Sequence, residues 1–355
     1  MENTTCELDG PATATLVETA PEPIPAKAAP VEAVVPPLPR PNLTGIALEI
    51  MIGCNLRCTL CNVDKLKPQF LPVAKIEEIL NKVPTIQRFI VIGHGEPLLH
   101  PDWYKIMDLG GKLSLQLHIV TNGMLLNEKH VAAFPPNAYV QFSIDSFRPE
   151  IYAAMRPGGV MIKVLRNLQL LAESRKDVRI GIQSIVTKKT FPYIDEIGDF
   201  ARQFGFDFNV LYPGTVSVEK YNEHYPDKQH PRKIVTSPRP CQEPFSSLMV
   251  GINGDIYPCC YMYGSRNKEK PDDSYIHEMV DGRENRINSS DYRLGNIFTD
   301  DVYALWNESR IRGIRNTVYN SLQQSSTYAE VRDSTDMDQG YGYCRMCALR
   351  WGKVC

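Results

Sequence analysis

The chain has 355 residues, 43% of them hydrophobic and 23% charged, with a formal net charge of −2. That length can bury a large core and suits two domains. The near-neutral balance excludes a general nucleic-acid binder, which carries a clustered basic excess, and no apolar run reaches the ~18 residues of a membrane span. No secretion signal is expected, because Glu2 and Asp9 precede the first cation, Lys27. The expected setting is the cytoplasm, without membrane or nucleic-acid partners. Thiols stay reduced there, so the ten cysteines point to metal or catalysis rather than disulfides.

Residues 1–40 are rich in Pro, Ala and Glu. They have too little bulky apolar surface for a core and are expected to form a disordered tail, which leaves Cys6 without a role. From Thr44 onward strand-like and helix-like runs alternate. Strands are predicted at 45–51, 88–92, 115–121, 139–144, 178–186 and 208–211. Helices are predicted at 73–82, 102–108, 127–134, 161–174 and 193–204. This spacing implies parallel βαβ units, and six of them make an α/β fold, a partial (β/α)6 TIM-like barrel over residues 41–212 with its active loops after the strands. Residues 213–240 are polar and proline-punctuated, a connector. Residues 241–355 hold the other six cysteines and are expected to form a small, metal-stabilised domain.

The densest chemistry lies directly after the first strand, where Gly53-Cys-Asn-Leu-Arg-Cys-Thr-Leu-Cys61 sets Cys54, Cys58 and Cys61 in a C-x3-C-x2-C array. Three thiolates within eight residues can wrap one iron–sulfur cubane. They leave one iron open to bind a small molecule through an amine and a carboxylate and to pass it an electron. A structural zinc site would want four closed ligands, and no fourth stands nearby, since His94 and His100 follow a different strand.

At this point the chain resembles the radical SAM superfamily, and further residues between 44 and 212 carry the likeness. Gly95-Glu96-Pro97 follows the second strand, where the family has Gly-Gly-Glu-Pro, which implies that Gly95 and Glu96 hold the methionyl amine of S-adenosylmethionine (SAM). His94 replaces the family's first glycine. Ser143 and Asp145 end the fourth strand like the family's ribose-binding Ser-x-Asp, although a helix cap would use the same residues. Asn122, in Thr121-Asn-Gly123, is a turn residue that could face the cofactor. Gln183 on the fifth strand stands where the family often has an Asn or Gln touching SAM. Leu60 takes the place of an aromatic residue beside adenine.

The C-terminal cysteines resemble the SPASM and twitch auxiliary-cluster domains of the same superfamily. The pattern is Cys241-x12-Gly254-x4-Cys259, with Cys344-x2-Cys347 completing four ligands. Asn253-Gly254-Asp255 is a hairpin signal that would bring Cys259 beside Cys241, and Arg293–Ile297 with Trp306 looks like the family's closing segment. The inventory favours the twitch form with one auxiliary 4Fe–4S cluster. Two clusters, or a closed zinc site, are the alternatives, and Cys260 or Cys355 could substitute as a ligand.

The resemblance implies an enzyme that cleaves SAM reductively at a 4Fe–4S cluster, fed by a flavodoxin- or ferredoxin-type donor. The resulting 5′-deoxyadenosyl radical takes a hydrogen atom from a substrate. The main expectation is oxidation of a small carbohydrate-like molecule. A peptide maturase is the alternative, lowered by the lack of an obvious leader-binding module before the barrel. A non-catalytic iron–sulfur carrier or scaffold is the reading from another class; it would need the cysteines but not Glu96, Ser143 and Asp145. The proton acceptor has only positional candidates, Tyr212 and the connector.

Overall fold

The computed structural model describes residues 42–61, 68–211, 213, 222–226, 241–263, 275–280 and 283–323, with backbone alone for 275–280, 283–287 and 319–323. The tail with Cys6, most of the connector, Tyr212, Cys344, Cys347 and Cys355 lie outside the described residues.

Six strands run parallel and side by side: β1 (Gly45–Leu48), β4 (Arg88–Val91), β5 (Gln116–Thr121), β6 (Tyr139–Ser143), β7 (Arg179–Ile185) and β8 (Asp207–Leu211). Helices return the chain between them. Four of the return helices bury residues three or four apart, the spacing that lines one helical face. In α1 (Val73–Lys82) these are Ile76, Ile79 and Leu80; in α2 (Trp103–Lys112) they include Trp103, Ile106 and Met107. The same logic holds for Val164, Leu168 and Leu171 in α5 (Met161–Ser174) and for Ile194, Ile197 and Ala201 in α6 (Ile194–Phe204). Asn127 caps α3 (Glu128–Ala133), its side chain accepting from the Lys129 and His130 N–H groups. This is the strand–helix alternation of the partial (β/α)6 barrel expected from sequence.

Three features go beyond that expectation. The predicted first strand breaks after Leu48. Met51–Ile52 (β2) leaves the sheet and pairs antiparallel with Gln69–Phe70 (β3), so a two-stranded ribbon closes the ends of the cysteine loop. An unpredicted helix, α4 (Pro149–Met155), follows β6. Strands of the C-terminal segment also extend the same sheet. Ser247–Val250 (β9) pairs parallel with β1, Asp255–Tyr257 (β10) turns back antiparallel on β9, and Gly295–Asn296 (β13) pairs with β10. The full order is β13-β10-β9-β1-β4-β5-β6-β7-β8, and β11 (Tyr275–Val280) and β12 (Arg283–Asn288) form a separate hairpin. With neighbours on both edges, all four residues of β1 are buried, as a central strand requires.

The main core lies between the sheet and its helices. A second cluster joins Ala47 of β1 to Phe245, Met249, Tyr257, Met262, Tyr263 and Ile314 of the C-terminal segment. Among the described residues no helix is long and apolar enough to cross a membrane.

Phe89 occupies the middle of the main core, fully buried and in register with Ile46 on one side and Leu117 on the other. Phe89→Ala is expected to lower the unfolding free energy by about 3–5 kcal/mol, read from urea denaturation; a change below about 1 kcal/mol would show the core repacking around the gap.

Candidate active site around the cysteine loop

Parallel strands bring all their C-terminal ends to one edge, where the connecting loops meet. The cysteine loop is hung from three of these places. At the end of β4, the Gly53 N–H donates to the His94 carbonyl (3.0 Å) and the Glu96 N–H donates back to the Gly53 carbonyl (2.9 Å). The two chains come so close that a Cβ on Gly95 would stand 2.8 Å from the carbonyl oxygens of Met51 and Gly53, which only glycine avoids. At the end of β5, the Asn122 side-chain amide donates to Asn55 Oδ1 (2.9 Å) and lies 3.6 Å from the Cys54 sulfur. After α4, the Arg57 and Thr59 N–H groups donate to the carbonyls of Pro157 (2.9 Å) and Met155 (3.0 Å).

Two buried carboxylates fix these attachments. Glu96 Oε1 accepts from the Thr121 hydroxyl (2.6 Å) and the Leu98 N–H (3.2 Å), while Oε2 accepts from the Asn122 N–H (2.8 Å). Burial pushes its pKa from the ordinary 4.5 up to about 6, against the opposite pull of these hydrogen bonds. Asp145 accepts two hydrogen bonds from Arg156, at 2.7 and 3.2 Å, and one from the Ile185 N–H at 2.8 Å. Arg156 also reaches the Cys58 sulfur at 3.8 Å. Burial opposes the charge of Arg156, but Asp145 and Cys58 beside it outweigh that cost and raise its pKa.

Other expected site residues are spread along the same edge. Ser143 is buried at the end of β6 and pairs in register with Gln183, which is half-buried on β7. Leu60 is half-buried in the turn before Cys61. Asn122, expected to face a cofactor, turns its amide toward the cysteine loop and accepts the Met124 N–H on its oxygen (2.9 Å).

Three thiols, those of Cys54, Cys58 and Cys61, are the donor chemistry that an iron–sulfur cluster takes. Burial pushes the Cys54 thiol up to about 11, with Glu96, Cys58 and Cys61 acting in the same direction. Burial raises Cys58 as well, with Arg156 opposing it. Such thiols ionise when iron supplies the compensating charge. Donors already face the sulfurs: the Leu56 N–H lies 3.3 Å from Cys54, and Arg156 faces Cys58. One further group fits a bound cofactor. The Tyr152 hydroxyl is fully buried without a hydrogen-bond partner among the described residues, in the field of Arg156, Asp145, Cys58 and Glu96. No three His, Cys, Asp or Glu side chains among the described residues close on a single metal ion.

In the C-terminal segment, the 251–254 turn joins β9 to β10, with the Gly254 N–H donating to the Gly251 carbonyl (2.8 Å). Cys259 and Cys260 follow β10. Burial pushes the Cys260 thiol up to about 12, with Glu243 and Cys241 adding to it. Cys241 therefore lies in the neighbourhood of Cys260, which the sequence treats only as a substitute ligand.

Sequence reasoning missed Arg156, Tyr152 and Glu49, and it placed Thr121 in the turn without its bond to Glu96. Arg156-Pro-Gly-Gly159 was a usable signal, as was Glu49, a carboxylate within the apolar run Gly45–Ile52.

Comparison with known proteins agrees with this geometry. The radical SAM superfamily model matches residues 48–201, and an iron–sulfur cluster-binding domain of the SPASM type matches residues 241–348. A tungsten-containing aldehyde ferredoxin oxidoreductase cofactor-modifying protein from Pyrococcus furiosus is 24% identical over 331 residues, covering 81% of this chain and 88% of that protein. The mycofactocin maturase of Mycolicibacterium smegmatis is 25% identical over 194 residues, 52% of this chain and 49% of that protein, so the chain matches about half of its length. Streptococcus suis SuiB bound to S-adenosylmethionine shares the fold, with a TM-score of 0.57 at 16% identity over 82% of this chain and 74% of that one.

The raised pKa of Glu96 sets a pH test. Its folded carboxyl holds a proton more tightly than the unfolded one, so its stabilising contribution is complete below about 4.5 and is lost as pH rises through about 6. In the iron-free protein, Glu96→Gln removes this dependence. Its stability relative to wild type should rise by about 2 kcal/mol across that window, measured by urea denaturation at several pH values. A flat difference would reject the assignment.

Proposed function

The chain belongs to the radical SAM superfamily and carries a C-terminal SPASM-type iron–sulfur domain, and on that premise we propose that it oxidatively modifies a peptide. As a member it is an enzyme of the oxidoreductase kind, whose chemistry is SAM cleavage followed by hydrogen-atom abstraction. What carries the radical reading in this molecule is the suspension of Cys54, Cys58 and Cys61 between three loops that also present Gly95, Glu96 and Asp145.

When bound, the cluster and SAM together supply a one-electron cleavage of a carbon–sulfur bond and, through the 5′-deoxyadenosyl radical, removal of a hydrogen atom. The protein's own residues place and shield that chemistry. We assign the methionyl end of SAM to the Gly95–Glu96 turn, its ribose to Ser143 with Gln183 beside it, and its adenine to the neighbourhood of Leu60. Glu96, Asn122 and Asp145 already hold protein partners, so their first contribution is to fix the loops around SAM. Asp145 also keeps Arg156 charged and aimed at Cys58. Cys241, Cys259, Cys344 and Cys347 are assigned to one auxiliary 4Fe–4S cluster, with Cys260 and Cys355 as the alternative ligands. The electron is assigned to a flavodoxin- or ferredoxin-type donor.

The relatives favour a peptide over the carbohydrate-like substrate expected from sequence. About half of the chain is similar to mycofactocin maturases, and the solved structures that share its fold include SuiB with a precursor peptide bound.

Reconstituted anaerobically with iron and sulfide, the protein given SAM and dithionite is expected to release 5′-deoxyadenosine. The Cys54/Cys58/Cys61→Ala variant should lose at least about 100-fold of that rate, as expected when the electron-transfer centre itself is removed. Adding a pool of synthetic peptides should raise the wild-type rate, whereas an aminocyclitol should not; the reverse pattern returns the substrate to the carbohydrate class. Wild type that binds iron and SAM but never yields 5′-deoxyadenosine would overturn the proposal.

A further inference from the structure

Glu49 lies fully buried just past the end of β1, and its carboxylate is divided between two segments far apart in sequence. Oε1 accepts the main-chain N–H of His94 at 2.8 Å and meets the His94 ring at Nδ1, also at 2.8 Å. Oε2 accepts the Tyr263 hydroxyl and the Ile252 N–H, the latter at 3.4 Å. One oxygen thus holds the turn that leads into Gly95 and Glu96. The other holds the segment that carries Cys259 and Cys260.

The turn has little freedom to move independently of this carboxylate. Gly93 adopts φ +148° and packs so tightly on Glu49 that a Cβ there would lie 2.5 Å from Glu49 Cγ. The His94 and Tyr263 rings sit 5.2 Å apart. Ile252 belongs to the β9–β10 turn, and the Glu49 N–H itself donates to the Val250 carbonyl at 3.0 Å. His94 occupies the position where the family has a glycine, and here its ring supplies a contact to Glu49 that glycine cannot make.

A buried carboxylate has no water to replace a lost donor, so removing one partner changes how strongly it holds the others. We infer that Glu49 is a positioning residue that couples the turn proposed to hold the methionyl end of SAM to the C-terminal cysteine segment, so that a change at Tyr263 alters SAM binding. This rests on the assignment of SAM to the Gly95–Glu96 turn. Coupling of this kind is reciprocal: Tyr263 affects SAM affinity, and bound SAM steadies the turn around Ile252.

The test compares wild type, Tyr263→Phe and Tyr303→Phe, all as reconstituted full-length protein with matched iron content. Tyr303 is the control, because its hydroxyl bonds only to the exposed Thr85 side chain at 2.9 Å, among the contacts described, far in sequence from Glu49. SAM affinity is measured by equilibrium dialysis, and hydrogen exchange at the Ile252 amide is followed with and without SAM. Tyr263→Phe keeps the ring and is expected to weaken SAM binding about 5- to 20-fold, while Tyr303→Phe binds as wild type does. SAM should slow exchange at Ile252 in wild type and less so in Tyr263→Phe. Equal affinity in wild type and Tyr263→Phe overturns the inference, as does an equal loss in both variants. Wild type that binds no SAM at all overturns instead the reading of the turn on which the inference stands. Should Tyr263→Phe fold poorly, Glu49→Gln, which keeps one accepting oxygen, is expected to show the same loss of affinity, and an unchanged affinity there likewise overturns the coupling.

Discussion

The structure depends on one close approach: the main chain of Gly95 lies against the main chain of Met51 and Gly53 with no room for a side chain between them. A loop carrying three cysteines in eight residues has no regular structure of its own to set sulfur positions. Its geometry must be imposed by neighbours. Main-chain hydrogen bonds between Gly53, His94 and Glu96 impose it, because peptide groups are rigid and their donors are directional. Asn122 and the chain around Met155 then fix the rest of the loop from two further directions. A ribbon of β2 and β3 closes its base.

Around this loop the interior is charged, which a hydrophobic core ordinarily avoids. Glu49, Glu96, Asp145 and Arg156 are all buried. Each carboxylate is supplied with several donors, the condition under which such groups are tolerated. Their common feature is that they tie loops to loops: Glu96 joins the end of β4 to that of β5, and Asp145 joins β6 to β7 and to Arg156. The contribution is to geometry more than to net stability, since a buried ion pair gains little over an apolar packing of equal volume. A radical enzyme needs that geometry, because a reactive intermediate is controlled by where its neighbours are held.

The sheet carries the same logic into the C-terminal segment. By pairing parallel with β1, strand β9 places the β9–β10 turn beside the end of the strand that launches the cysteine loop, and β10 then carries the chain back antiparallel toward Cys259 and Cys260. The residues matched by the two family models therefore share a sheet and a hydrophobic cluster, in which Ala47 of β1 packs among Phe245, Met249 and Tyr263. Glu49 adds a polar link at the same junction.

Much of the molecule was legible in the chain itself. Apolar spacing located five of the return helices and all six parallel strands, because local periodicity follows directly from helix and strand geometry. The cysteine spacing and Gly95-Glu96-Pro97 pointed to the family, since a short cysteine motif and a glycine turn are local in sequence. Partnerships between distant residues were not legible. Asp145 was legible as a polar residue at a strand end, but not its bonds to Arg156 and the Ile185 N–H. Glu49 attracted no notice, because its partners, His94 and Tyr263, are 45 and 214 residues away. The chain after residue 212 lost its alternation, and nothing local could show that β9 would return to the edge of β1. Local pattern determined most elements of the barrel and the cysteine loop; only the folded sheet decided which buried charge meets which, because hydrogen bonding and desolvation depend on distances that exist in three dimensions alone.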